Sequence, residues 1–171
     1  KEGQTLSQIT KDFCKAWEIE QTVLPMSDQP VRTIVETEAG DLAFQEYFVH
    51  RRCEPRVKGF RFEGAEVAEP APGARAAIQS ADAIIICPSN PWVSIDPILQ
   101  VLSPLPKGEG LGVRVFAISP IIGGQTVKGP AAKMFRELGI EPSALAVANH
   151  YCDLVNGFVL DKIDEQLKGD I

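Results

Sequence analysis

Leu6, Ile9, Phe13, Ala16 and Trp17 recur every three to four positions, a spacing that predicts a helix over Thr5–Glu18. Thr5 or Ser7 offers a hydroxyl to cap its first turn. Thr22–Leu24 reads as a short apolar strand, Ser27-Asp28-Gln29-Pro30 as a turn, and Val31–Thr37 as an alternating strand. Ala39-Gly40-Asp41 turns the chain back toward Leu42–Phe48, which fits both periods and is read as a short helix. Val57–Glu63 alternates again. A Pro/Ala/Gly-rich loop then leads to a helix at Ala74–Ser80 and a β-branched strand at Ala83–Cys87. Pro91 or Ser94 starts the next helix, which runs through Leu99. A loop at Leu105–Gly112 precedes the strand Val113–Ser119. Pro130 opens a helix with Ala131, Met134, Phe135 and Leu138 on one side and Gly139 as its stop. Ser143–Tyr151 predicts a helix, Phe158–Asp161 a strand, and Lys162–Lys168 follows it.

Helices that alternate with apolar strands predict an α/β fold. The expected architecture is Rossmann-like: a mostly parallel sheet with flanking helices, incomplete at both ends. No repeat or linker divides the 171 residues, so one domain is expected.

Charge and cysteine content narrow the partners. A formal net charge of −6 disfavours nonspecific attraction to nucleic acid or an anionic membrane. No apolar run reaches the roughly 18–20 residues needed to span a bilayer. The four cysteines (Cys14, Cys53, Cys87, Cys152) have neither CxxC nor zinc spacing and read as free, buried thiols, which fits a cytoplasmic protein.

Two apolar strands end in polar, turn-rich segments: Pro88-Ser89-Asn90-Pro91 and the segment from Ser119. Ligands of open α/β sheets sit where such strand ends release their loops. Ser89, Asn90 and Ser94 are candidate hydrogen-bonding groups for a polar ligand. Gly123, Gly124 and Gly129 allow close backbone approach, and Lys128 is a candidate phosphate contact, although neither a Walker A element nor GxGxxG is present. Arg32, His50, Arg51, Arg52, Arg56 and Lys58 gather positive charge, as a solvated face or an anion-facing patch. Neither histidine forms a metal spacing, and no G-x-S-x-G elbow surrounds Ser89 or Ser119. The chemistry left is group transfer by positioning and charge neutralisation.

Five strings occur in order: LPMSDQPVRTIVET, FQEYFVHRRCEP, ICPSNPWVSIDPIL, SPIIGGQTVKGPAAKM and DLVNGFVLDKID. Together they resemble the 2-phospho-L-lactate transferase family of coenzyme F420 biosynthesis, from about Leu6 to Asp164. The resemblance implies transfer of a phospholactyl or phosphoenolpyruvyl group from a guanosine diphosphate conjugate to the deazaflavin Fo, with release of GMP and a requirement for magnesium (Mg2+). A homodimer is compatible with it. It places site loops at Met26–Asp28 with Arg32, at Glu46–Arg52, at Ser89–Ile95 and at Gly123–Gly129. Arg52 or Lys128 is then expected to help neutralise the diphosphate, and Ser89 and Asn90 to orient it. Asp28 is expected near the attacking hydroxyl. Met26, Phe48 and Trp92 are expected to line a flat pocket, with Ser27, Glu46, Pro91 and Ser94 beside them.

Residues 22–63 then form a smaller substrate-pocket subregion of a partial transferase domain, 1–171. The family's glycine-rich first strand-turn-helix and its acidic metal-binding segments have no counterpart in the string, so the metal ligands are expected outside it. The chain alone is accordingly expected not to turn over Fo. A second reading stays open: a noncatalytic nucleotide- or sugar-nucleotide-binding regulator of the same wider fold family.

Overall fold

A computed structural model describes residues 3–102 and 113–171. The loop expected at Leu105–Gly112 lies outside the described residues. The first helix, α1 (Leu6–Ala16), begins with a reciprocal cap: the Thr5 hydroxyl accepts from the Gln8 amide at 3.3 Å, and the Gln8 side chain accepts from the Thr5 amide at 2.9 Å. Its apolar stripe forms as its spacing predicts, but no residue of α1 is buried. Leu6 and Phe13 are half exposed, and Trp17, just past its end, is 68% exposed. Residues 22–24 form no strand; Val23 and Leu24 are exposed, and Pro25 cannot donate to a ladder.

The expected single, mostly parallel Rossmann-like sheet is not what forms. Three small sheets do, two antiparallel and one parallel. The first joins β1 (Arg32–Thr37), β2 (Gly40–Ala43) and β3 (Val57–Glu63) in the order β2-β1-β3. Thr37 faces Gly40, so only Glu38 and Ala39 connect β1 to β2. The Thr37 hydroxyl donates to the Gly40 carbonyl at 2.6 Å and accepts from the Ala39 amide at 3.1 Å. Two residues cannot make the crossover that parallel pairing needs, so the pair is antiparallel. This turn also splits the helix expected over Leu42–Phe48. Its first part is β2, and a single wide helical turn (Glu46–His50) follows.

The parallel expectation holds locally. β4 (Ala83–Ile86), β5 (Arg114–Ile118) and β8 (Gly157–Val159) pair in the order β4-β5-β8, all parallel. Helix α2 (Ala74–Gln79) precedes β4, and α3 (Asp96–Leu102) lies between β4 and β5 in sequence. The third sheet is a ribbon of β6 (Ile121–Ile122) and β7 (Gln125–Thr126). After it come α4 (Ala131–Glu137) and α5 (Ala144–His150), the latter capped by Ser143. A 3-10 helix over Lys162–Gly169 ends the fold. Among the described residues no helix is long and apolar enough to cross a membrane. The four thiols are free, but Cys87 and Cys152 are exposed rather than buried.

Helix α4 joins the two larger sheets. Phe135 packs with Ile86, Val115 and Ala117 of the parallel sheet, while the adjacent Met134 packs with Val35, Tyr47 and Val57 of the antiparallel one. Successive helix positions differ by about 100°, so neighbours reach two different cores. Trp92 touches both clusters, 4.1 Å from the Phe135 ring and 6.2 Å from that of Phe60. A polar bridge reinforces the joint. Glu137 accepts from the Val57 amide at 3.0 Å and pairs with Lys133 at 2.6 Å. The Lys133 amine also lies 3.3 Å from the Pro55 carbonyl and 3.4 Å from the Tyr47 hydroxyl. Burial and nearby acidic groups hold the Tyr47 phenol protonated, its pKa raised.

Replacing Glu137 by alanine leaves the Val57 amide without its acceptor and the Lys133 ammonium without its carboxylate partner. Glu137→Ala is expected to lower the unfolding free energy by about 2 kcal/mol, read by urea titration. Glu137→Gln restores part of it, because an amide oxygen still accepts from Val57. A second expectation concerns pH. Asp28 accepts from the Ser7 amide at 2.7 Å, and this bond holds its carboxyl below the ordinary value of 3.8. A depressed folded pKa stabilises the tie above the ordinary value and loses it as pH falls through the lower folded value. Protection of the Ser7 amide, read as its exchange relative to the intrinsic rate at each pH, is therefore expected to fall as pH drops below 3.8, and Asp28→Asn is expected to remove that fall.

Candidate functional site

The carboxyl ends of β4 and β5 open into a cavity of about 490 Å³. Pro88 and Asn90 line it from the β4 side, Ile118, Ser119 and Pro120 from the β5 side. Thr126, Val127, Lys128 and Gly129 close it from the ribbon and the loop after it, and Phe44 and Phe48 from just past β2 and from the wide helical turn that follows. The two phenyl rings stack with centroids 5.5 Å apart and planes 15° apart. The lining is mostly apolar with a few polar tips, the usual chemistry of a small-molecule pocket.

Five residues singled out in the sequence meet in this lining: Phe48, Asn90, Ser94, Lys128 and Gly129. Lys128 is exposed and takes part in no ion pair among the described residues. Asn90 has a structural task as well. Its carbonyl oxygen accepts from the amides of Trp92 at 3.1 Å and Val93 at 3.4 Å, capping the wide turn Pro91–Ile95. Its side-chain amide donates to the Met134 sulfur at 3.2 Å. That cap turns Val93 and Ser94 to the cavity wall.

The other singled-out residues lie outside the lining. Asp28 is tied to the Ser7 amide. Ser27 is buried and accepts from the Gln29 amide at 3.0 Å, while the Met26 carbonyl accepts from the Ala71 amide at 3.0 Å. Arg32 is exposed at the start of β1. Glu46 pairs with His50 at 2.5 Å and Arg51 at 3.0 Å, which lowers its pKa, with the His50 bond first among the causes. Arg52 is exposed, with φ +49°, and Cys53 follows at φ +61°. Two successive non-glycine residues in the left-handed region are strained. Ser89 is half-buried, its amide donating to the Cys87 carbonyl at 2.7 Å. Pro91 is fully buried, and Trp92 belongs to the joint between the cores. Within the positive patch Arg51 pairs with Glu46 and Arg56 with Glu38, as a solvated face does.

Gly123 and Gly124 also serve the fold. Ile122 faces Gln125, so the two glycines form the whole turn of the ribbon, at φ +56° and +75°. Both central residues of such a turn need positive φ, which glycine adopts freely. The Gly123 amide donates to the buried carboxylate of Asp164.

Phe44, Pro88, Val93, Ile118, Ser119, Pro120, Ile122, Thr126 and Val127 also line the cavity. The strand-end rule reaches Pro88, Ser119 and Pro120 from sequence. The four-residue spacing of Phe44 and Phe48 was the signal for the stacked rings. Among the described residues no three His, Cys, Asp or Glu side chains converge as a metal site.

The family profile described as 2-phospho-L-lactate transferase CofD matches residues 1–169. The chain is 41% identical over 160 residues to a 2-phospho-L-lactate transferase of Methanothermobacter thermautotrophicus, covering 92% of this chain and 50% of that protein. It is 42% identical over 167 residues to a phosphoenolpyruvate transferase of Streptomyces griseus, covering 95% of this chain and 52% of that one. The chain thus spans about half the length of these curated relatives. A crystal structure of a UPF0052-family protein from Bacillus halodurans superposes with a TM-score of 0.57 at 18% identity, covering 96% of this chain and 58% of that one, which supports the fold alone. With a family match over 1–169 and identities above 40% across nine-tenths of its length, the chain belongs to the 2-phospho-L-lactate transferase CofD family.

Proposed function

We propose that this chain supplies the donor and acceptor pocket of a transferase that moves a phospholactyl or phosphoenolpyruvyl group from a guanosine diphosphate conjugate to Fo. The terminal hydroxyl oxygen of Fo bonds to the phosphorus of the transferred group. The bridging P–O bond to GMP breaks, GMP leaves, and the hydroxyl proton passes to solvent. The observation that carries this reading is the 490 Å³ cavity, in which a stacked phenyl pair and a lysine outside the described ion pairs face one space. A flat ring suits Phe44 and Phe48. A diphosphate suits the Lys128 amine. Residues 22–63 act as the substrate-pocket subregion through that phenyl wall. Ser94 and Asn90 add polar edges, and Arg52 adds charge from outside the lining. The family resemblance brings magnesium to the reaction; no step is assigned to it within these residues.

The test uses the complete gene product with Fo, magnesium and each donor in turn, with products weighed by mass spectrometry. One GMP is expected per Fo, which gains one phospholactyl or phosphoenolpyruvyl group. Nucleotide binding with no GMP release from either donor would instead support a noncatalytic nucleotide-binding regulator. Lys128→Ala is expected to raise the donor KM by about tenfold to a hundredfold, the equivalent of ~1.5–3 kcal/mol for a charged hydrogen bond.

A further inference from the structure

A two-stranded ribbon with two residues per strand is marginal on its own. Yet β6 and β7 carry Lys128 to the cavity, through Val127 and Gly129, so something outside the ribbon must hold it. Two side chains do. Arg136 of α4 donates to the Gly124 carbonyl at 3.3 Å. Asp164, on the final 3-10 helix, brings both carboxylate oxygens to the Gly123 amide, at 3.0 and 3.2 Å. Asp164 is only 4% exposed. A carboxylate is costly to bury and is retained where its hydrogen bonds need it. Its neighbour Ile163 lies beside the same turn, 3.6 Å from where a Cβ on Gly123 would stand. Beyond the ribbon, the Thr126 hydroxyl donates to the Gly129 carbonyl at 3.0 Å and closes the loop around Lys128.

We infer that Asp164 is a positioning residue: its buried carboxylate pins the Gly123-Gly124 turn and thereby sets where Lys128 meets the diphosphate of the donor. Asp164 lies 41 residues from Gly123 in sequence, and among the described residues none of its hydrogen bonds reaches a residue that lines the cavity, so it acts only through the ribbon. The inference rests on the proposed role of Lys128. A charge is not required for the bond itself, because the side-chain oxygen of asparagine also accepts from an amide.

The experiment compares Asp164→Ala, Asp164→Asn, Lys128→Ala and the double variant D164A/K128A in the complete gene product. Backbone hydrogen exchange over 121–129 reads the pin without any reaction. It is expected to quicken by about tenfold in D164A, the loss of one hydrogen bond, while exchange over 32–63 stays as in the parent. D164N is expected to stay close to the parent in exchange and in kinetics, and it keeps the test decisive if D164A folds poorly. In the transfer assay D164A is expected to raise the donor KM by about fivefold to tenfold with kcat little changed, and to add nothing in the K128A background. Unchanged exchange over 121–129 in D164A overturns the inference. So do effects of D164A and K128A that multiply in the double variant. A donor KM that K128A leaves unchanged overturns the reading of Lys128 itself and, with it, the positioning role, while faster exchange in D164A would still show the pin. The two failures are thus told apart.

Discussion

Two neighbouring side chains, Met134 and Phe135, hold the molecule together. They leave one helix in two directions and enter two cores. Trp92 lies against both cores as well. Interiors are packed at crystal-like density, so the joint fixes the sheets' separation and their angle together. The Lys133–Glu137 pair adds direction, since its bonds reach Val57, Pro55 and Tyr47 on one side only.

The cavity is a consequence of that joint. Parallel strands β4 and β5 release their loops on one edge, and the antiparallel sheet brings Phe44 and Phe48 across from them. Helix α4 starts at the same place, and its preceding loop supplies Lys128. An apolar face, a cation and a few hydroxyl or amide tips therefore converge from parts of the chain far apart in sequence. Asn90 shows how tightly fold and site are combined: it caps the turn, bonds the Met134 sulfur of the joint, and lines the cavity.

Much of this was legible from spacing. The boundaries of β3, β4, β5, α2, α4 and α5 follow period and caps closely, because apolar period and capping residues are local signals. The strand-end rule marks one wall of the cavity from sequence. The sheet arrangement was not legible, since pairing direction depends on the two-residue Glu38-Ala39 turn and on hydrogen bonds of Thr37 that no periodicity reports. Nor were the separate duties of Gly123, Asp28 and Trp92. Each looked like a ligand group by type, yet each is held by a distant partner: Asp164, the Ser7 amide, and the Phe60 and Phe135 rings. The apolar stripe of α1 was legible as a helix, but its exposure was not, because periodicity shows which side is apolar and not what covers it.

The central claim is that the space between the phenyl pair and Lys128 is where donor and acceptor meet. A crystal structure of the complete gene product with Fo and GDP tests it most directly. The deazaflavin ring is predicted against Phe44 and Phe48, with the diphosphate within hydrogen-bonding distance of the Lys128 amine. Both ligands bound elsewhere, with this cavity left to solvent, would contradict the account.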